Sequence, residues 1–415
     1  MAASQFAPRK RLSCTPDAHW LGIDRLRLYS RMALVCYALY FGIWTVRAGV
    51  LAAPGVVAPG ADFVAFWSAA KLTLASGAAA PYDYGLLRQV ELSAVPGLPI
   101  GDGVLPWLYP PTYLLFVLAF GFLPYGWATL VFLAGGAGWY AWAMCRTLPR
   151  GVWLAGVAFP GIAVVLATGQ NALWLAGCAG LALTCLHSRP VLAGVLLGLV
   201  TVKPHLALMF PIALLCTRAW RALGAMLATA LALVLLALLV FGAESFAAFL
   251  RNVGMARATL EQSVELLPRM PTVFAAVKLV SGSVPWAYAV HGVVAAAALV
   301  AMIYAWARPC SFALRASALI CAGLLVPTYL YDYDLAFLGL AIAWLGMHAH
   351  RTGWQRGERE LLVLLWLLPL SGLLLGTWIG KGFGFPPMPL GLALALALCV
   401  RRVRLERTGK ASCDA

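Results

Sequence analysis

The chain has 415 residues, 63% of them hydrophobic and 11% charged, with a mean hydropathy of +0.87. Soluble domains carry roughly 25% charged residues, so a water-soluble globule is excluded. The sequence reads as an all-α polytopic membrane protein whose apolar runs cross a bilayer repeatedly. The formal net charge of +15 does not indicate nucleic acid, because the basic residues gather at the ends of apolar runs. Arg9, Lys10, Arg11, Arg25, Arg27 and Arg31 stand at the start, and Arg401, Arg402, Arg404 and Arg407 at the end. Basic residues mark the cytoplasmic side, which predicts a cytoplasmic segment over 1–30, one transmembrane domain over 31–400 and a cytoplasmic tail over 401–415. Residues 1–24 lack the apolar core of a cleaved signal, so the first span is expected to be an uncleaved anchor. The cysteines are scattered and form no CxxC pair, which predicts neither a disulfide framework nor a zinc site.

The first span, 31–53, leads outward into a Gly-, Pro- and Ala-rich segment over 54–107. Here Phe63, Phe66, Trp67, Ala70 and Leu74 recur at helical spacing as one apolar stripe, with Ser68, Lys71 and Ser76 off it. Such a helix is expected to lie in the interface plane with its aromatic residues in lipid. Asp62 stands at its N-terminus, where it is either a helix cap or a base held beside the bilayer; the two roles are compatible. Asp83, after Pro81-Tyr82, reads as a turn former.

Tandem prolines in Tyr109-Pro110-Pro111 open a short apolar run that ends at Pro124, and a second run continues to Cys145. Either both runs cross, or the first is a half-helix that enters and returns. Arg146 and Arg150 favour the half-helix, which puts them inside. Spans then follow over 152–167, 171–187, 191–202 and 206–216. On this path Gln170, Asn171, Lys203 and His205 share the outer side with Asp62. On the competing path 190–217 is one kinked span and Lys203 is a costly charge within the bilayer. Lys203 could instead snorkel from a helix end, Tyr109 could belong to an interfacial belt, and Gln170 and Asn171 could be caps.

Residues 220–242 lead to a second outer segment over 243–284, holding Glu244, Arg251, Arg257, Glu261, Glu265, Arg269 and Lys278. Further spans over 285–307, 312–326, 335–348, 361–377 and 389–400 bring the total to about 12 membrane segments with two large extracytoplasmic loops. Between two of them lies Tyr331-Asp332-Tyr333-Asp334, whose carboxylates are unusual in so apolar a chain; Asp334 is also placed to cap the next helix. A last outer turn is expected at Lys381 to Pro387. Acidic residues thus cluster in three outer segments, which orientation rules do not require and a polar outward-facing cavity does.

Around one cavity, Asp62, Gln170, Asn171, Lys203, His205, Asp332 and Asp334 suit glycosyl transfer from a lipid-phosphate sugar. An aspartate takes a proton from the attacking hydroxyl, and Lys203 or His205, with Arg251 or Arg257, binds the phosphate as charge develops on it. No Rossmann-type glycine fingerprint follows a strand.

Asp62-Phe63 with Phe66-Trp67-Ser68-Ala69-Ala70, Gly77 and Pro81-Tyr82-Asp83 resembles the first-loop signature of the family 87 glycosyltransferases. Tyr109-Pro110-Pro111, Gly169-Gln170-Asn171, Ala193-Gly194 with Gly198, Lys203-Pro204 and Pro327 with Tyr333-Asp334-Leu335 follow in that family's order and rough spacing. The resemblance implies a GT-C-type fold and an extracytoplasmic active site in the cell's plasma membrane. It further implies inverting transfer of a hexose, mannose in this family, from a polyprenyl-phosphate donor to a glycolipid or glycan acceptor. By that analogy Asp62 is the base, no nucleotide is obligatory, and Tyr333 stands where some members carry histidine; no cofactor is expected, and although Asp62 and Asp332 could share a metal ion, nothing in their spacing demands one. The alternative class is a carrier or flippase for lipid-linked sugars, but no repeat relates the two halves of the chain. A non-catalytic scaffold leaves the outer acids unexplained.

Overall fold

The computed structural model describes residues 19–53, 55–262, 264, 267–379 and 386–408. Among them every regular element is helical. Helix α1 (Ile23–Thr45) ends in a π-helical turn, Val46–Val50, and precedes α2 (Phe63–Ser76) and α3 (Tyr84–Ala94). Then come α4 (Pro111–Val117), prolonged as a 3₁₀ stretch over Leu118–Phe122, and α5 (Tyr125–Thr147). Short helices follow: α6 (Trp153–Val157), α7 (Pro160–Thr168), α8 (Ala172–Cys185), α9 (Pro190–Val200), α10 (Pro204–Ala207) and α11 (Met209–Cys216). The chain closes with α12 (Trp220–Gln262), α13 (Val273–Ser281), α14 (Val284–Ala307), α15 (Phe312–Leu325), α16 (Ala336–Thr352), α17 (Glu358–Ile379) and α18 (Met388–Thr408).

Prolines set much of this segmentation. Pro111, Pro160, Pro190 and Pro204 each sit in the first turn of a helix, where the missing N–H costs nothing and the fixed φ fits. Among the described residues four helical stretches are long and apolar enough to cross a membrane: Ile23–Val50, Tyr125–Thr147, Trp220–Gly254 and Val284–Ala307. Shorter apolar helices of 10–17 residues include Phe63–Ser76, Ala172–Cys185, Pro190–Val200 and Phe312–Leu325. Both expected outer loops are largely helical, the second beginning where α12 kinks at Gly242. Part of the outer turn expected at Lys381 to Pro387 lies outside the described residues.

Contacts decide the path through 107–217. Tyr109 lies against Lys203, and Leu123 and Tyr125 lie against Trp67 and Phe63 at the start of α2. Pro111–Phe122 therefore begins and ends at one end of the bundle, as a half-helix does. From there α5 descends beside α8: Gly136 faces Trp174, Gly177 faces Trp139, and Gly180 faces Ala143. At the far end Arg27 donates from Nε to Gly151 O at 2.7 Å, so the Arg146–Arg150 turn joins the start of α1.

The chain also reverses at Lys203. Gly194 faces Ala222 and Met226, and Gly198 faces Thr229, so α9 and the start of α12 run the same way. For that, α10 and α11 must carry the chain back from Lys203 to the level of residue 194. One kinked span over 190–217 is thereby excluded. The far end is tied by Arg402 to Glu358, Ser311 N–H to Glu406 and His19 to Glu360. Residues 401–408 are accordingly the last turns of α18, with Arg402 buried.

Most of the apolar stripe of α2 is covered by protein, and only Leu74 at its far end is exposed. Phe63 and Phe66 are buried, not lipid-facing. Phe63 packs on Phe120 and Phe132 with ring centroids 5.9 and 4.6 Å apart, and Phe66 on Tyr109 and Tyr113 at 5.3 and 5.5 Å. Pairs of this kind contribute about 0.5–1.5 kcal/mol each beyond area burial. Trp67 is half-buried and donates its indole N–H to Leu123 O. The expected interface-lying helix is thus a wall of the bundle.

Candidate active site

Asp62 is held by its backbone. Gly60 N–H donates to Ala167 O at 2.9 Å and Asp62 N–H to Thr168 O at 2.8 Å, so the approach to α2 pairs with the last turn of α7. The pairing depends on Gly169, which ends α7 in the left-handed region at φ +93°. A Cβ there would lie 2.3 Å from Gly60 O, so only glycine allows the approach. The next residue, Gln170, donates from Nε2 to Asp62 Oδ2 at 3.3 Å. Asp62 occupies the N-cap position of α2, yet its side chain caps nothing. Its carboxylate is free for other work and remains partly exposed. Burial pushes the Asp62 carboxyl above the usual carboxylate range and the charge of Asp332 adds to this, while the Gln170 hydrogen bond and Arg269 oppose it.

Two ion pairs stand beside it. The Arg269 guanidinium, at the end of the 3₁₀ turn Leu267–Arg269, meets both Asp332 oxygens at 3.0 and 2.9 Å. Asp332 is wholly buried, whereas the Arg269 side chain keeps 36% of its surface open. Lys203 Nζ lies 2.6 Å from Asp334 Oδ1, with both side chains buried. The ammonium also sits 4.9 Å from the ring centre of Tyr333 and 5.9 Å from that of Tyr109, in cation–π range. The other Asp334 oxygen accepts the Tyr331 N–H at 3.2 Å. Asp334 therefore braces the 3₁₀ turn Asp332–Leu335 and pairs Lys203 at once.

Aromatic and amide groups complete the wall. Tyr109 Oη donates to Asn171 Oδ1 at 3.4 Å, and Tyr82 Oη holds the backbone at Tyr109 by donating to its carbonyl at 2.8 Å. Asn171 sits at the N-cap of α8 without capping it. Its Nδ2 and His205 Nε2 are buried with no partner among the described residues. His205 stacks edge-on near Tyr329, with centroids 6.3 Å apart. Lys203 does not snorkel, and Tyr109 is an inner wall residue, not a belt residue.

The structure thus brings Asp62, Gln170, Asn171, Tyr109, Lys203, His205, Asp332, Tyr333 and Asp334 to one end of the bundle. Arg251 is not among them. It is exposed on α12 beyond the kink at Gly242, and no hydrogen bond or ion pair among the described residues joins it to the cluster. Arg257 is likewise exposed and bonded to Glu261 at 2.8 Å. The cation that does enter is Arg269. Its signal in the sequence was its place between Pro268 and Pro271, in a rigid turn instead of on a polar helix face. Asp83 caps α3, accepting from Gly85 and Leu86 N–H.

Counting full charges, three carboxylates (Asp62, Asp332, Asp334) face two cations (Arg269, Lys203). Asp332 and Asp334 are each consumed by a pair. What is left over is one accessible carboxylate beside a guanidinium whose open edge is aimed away from its anchor. Such a site can accept a proton and hold an anion in the same small volume.

The fold and site describe an apolar helical bundle of membrane type with one polar, charged end, and comparison with known families says which class of enzyme it is. The profile of glycosyltransferase family 87 matches residues 107–328, just over half of the chain. The chain belongs to glycosyltransferase family 87. No curated protein and no solved structure matches it.

Proposed function

We propose that this glycosyltransferase moves a hexose, mannose by the family resemblance, from a polyprenyl-phosphate carrier to a glycolipid or glycan acceptor on the extracytoplasmic face, with inversion at the anomeric carbon. The observation that carries this reading is the partly exposed, unpaired Asp62 carboxylate beside the Asp332-anchored Arg269. In the reaction Asp62 takes the proton of the acceptor hydroxyl as its oxygen attacks the anomeric carbon. The bond from that carbon to the phosphate oxygen breaks, and the phosphate leaves with the electron pair as the added charge is held by Arg269. General-base action of this kind contributes about 10²–10⁴-fold. Lys203, held by Asp334, positions Tyr109 and Tyr333 for the sugar, and Gln170 orients the Asp62 carboxylate. Asn171 Nδ2 and His205 Nε2 offer hydrogen bonds to sugar hydroxyls. The fold is of GT-C type on this reading, with the far end, rich in arginine, facing the cytoplasm of a plasma-membrane protein.

The test is transfer of radiolabelled mannose from polyprenyl-phosphate mannose to a membrane lipid extract, by purified wild type and Asp62→Asn. Acceptor-dependent product from wild type, and at least 100-fold less from a folded Asp62→Asn protein, supports the assignment. The raised Asp62 carboxyl further predicts that wild-type turnover falls on acidification at a pH above the ordinary carboxylate range. Full activity in Asp62→Asn removes Asp62 from the chemistry. Movement of the labelled lipid across vesicles without transfer establishes the carrier instead.

A further inference from the structure

A cleft lies away from this site, between α14 and α18. It has a volume of about 590 Å³ and is walled by Ala297, Ala301, Leu396 and Ala397, with Arg401 and Arg404 at one end. A volume of this size is within the range of small-molecule pockets. Along α18 the lining runs from Ala393 to Leu405, which at the helical rise is about 18 Å. One leaflet of a bilayer's hydrocarbon core is roughly 15 Å deep. The cleft thus has the length of an acyl chain, and the alanines in its lining, such as Ala297, Ala301 and Ala397, leave room for one between larger apolar residues such as Leu325 and Leu396.

Charge marks the end where the headgroup belongs. Arg401 and Arg404 are exposed, and no carboxylate pairs with either among the described residues. The two nearby acids are already engaged: Glu406 accepts from Ser311 N–H and faces His348, and Glu358 pairs with Arg402. Arg407 adds to the positive field and donates to Tyr304 Oη at 3.2 Å. The arginines stand at the far end of the bundle, opposite Asp62, so the headgroup of a lipid seated here faces the other leaflet.

We infer that the α14/α18 cleft is a binding site for an anionic phospholipid, with one acyl chain along the alanine-lined wall and its phosphate between Arg401 and Arg404. Two arginines at a helix end reading an anionic headgroup follow the general logic of basic pockets between membrane helices. The occupant is not the sugar donor, whose phosphate belongs at the opposite end. The exclusion of the donor rests on the reading above, but the test uses phosphatidylglycerol and phosphatidylcholine only, so its outcome is separate from the donor assignment.

Native mass spectrometry of the purified full chain in detergent tests it, with phosphatidylglycerol and phosphatidylcholine of equal chain length titrated separately. Wild type should retain phosphatidylglycerol at least tenfold more tightly, with the preference shrinking as salt rises. Arg401→Gln/Arg404→Gln should erase the preference, and Arg401→Lys/Arg404→Lys should keep most of it. Ala397→Trp, which fills the cleft, should reduce retention of both lipids. Equal retention of the two lipids by wild type overturns the proposal. So does an unchanged preference in the folded double Gln protein. If the Gln protein does not fold, Ala397→Trp decides: undiminished phosphatidylglycerol retention there also overturns the site.

Discussion

Replacing Gly169 by alanine should uncouple catalysis from folding. Gly169 has φ +93° and ψ 21°, a left-handed conformation that costs alanine about 1–2 kcal/mol. The larger effect is steric. The new Cβ would lie 2.3 Å from Gly60 O, 2.7 Å from Gly60 C and 2.8 Å from Phe63 N. These are backbone atoms, so no side chain can rotate away, and the 60–63 segment must retreat by roughly 1 Å. Asp62 lies inside that segment, and a misplacement of this order costs about 10²-fold in rate. Gly77 supplies the control. It has φ +93° and ψ 165°, and a Cβ there would meet nothing within 4 Å. Its backbone region is at least as costly for alanine, about 1–3 kcal/mol. Initial rates of sugar transfer in detergent, with unfolding followed by tryptophan fluorescence, separate the two effects. Gly77→Ala should lower the melting temperature and keep the rate within about twofold, while folded Gly169→Ala should lose about 100-fold. Wild-type rates in Gly169→Ala, or an equal loss of rate in Gly77→Ala, would refute the argument that the close approach of 60 and 169 positions the base.

The remaining predictions concern buried charge. Lys203→Met leaves Asp334 buried without its cation and should destabilise by about 3–5 kcal/mol, since breaking one side of a buried pair strands the other. Adding Asp334→Asn should restore most of the melting temperature; strictly additive losses in the double variant would show that the pair is not coupled. Glu91, on α3, is wholly buried; its Oε2 accepts the Leu105 N–H at 3.1 Å and its Oε1 has no partner among the described residues. Burial, with the charge of Asp62, pushes its carboxyl up to about 7, against the Leu105 hydrogen bond, which lowers it. A raised carboxyl stabilises the fold below its unfolded value near 4.5 and loses that contribution as pH rises through about 7. Glu91→Gln should therefore raise the melting temperature at pH 8 relative to wild type and do so less, or not at all, at pH 5. An identical pH profile for the two proteins would mean that Glu91 is not protonated in the fold.

Much of the site was visible in the sequence because its residues sit at breaks. Gln170 and Asn171 follow a left-handed glycine, Lys203 precedes a helix-opening proline, and Asp332 and Asp334 occupy a short turn between apolar runs. Polar groups in a membrane chain concentrate where backbone hydrogen bonding is interrupted, and those interruptions are written locally in Gly and Pro. Arg269 was missed for the complementary reason. The prolines on either side of Arg269 marked it as a turn residue, but which of Arg251, Arg257 and Arg269 reaches Asp332 depends on the kink of α12 at Gly242 and on where the later turn packs. The stripe of α2 was read correctly as apolar, but its aromatic part, Phe63 and Phe66, was wrongly read as lipid-facing. Helical period reports that a face is apolar, and lipid and protein satisfy that face equally well.

By itself, the sequence determined a helical membrane chain, the bias of its basic residues to one side, the positions of its breaks and the family signature. Those follow from local rules: hydropathy over the length of a span, the missing N–H of proline, the conformational freedom of glycine. Only the tertiary structure decided that Pro111–Phe122 returns to the end it left, that α9 reverses at Lys203, and that Asp62 is unpaired while Asp332 and Asp334 are each held by a cation. These outcomes depend on contacts between residues up to 131 positions apart, such as Lys203 with Asp334. Charge pairing acts through distance in space, and no local pattern in the chain encodes which of several equivalent partners will be near.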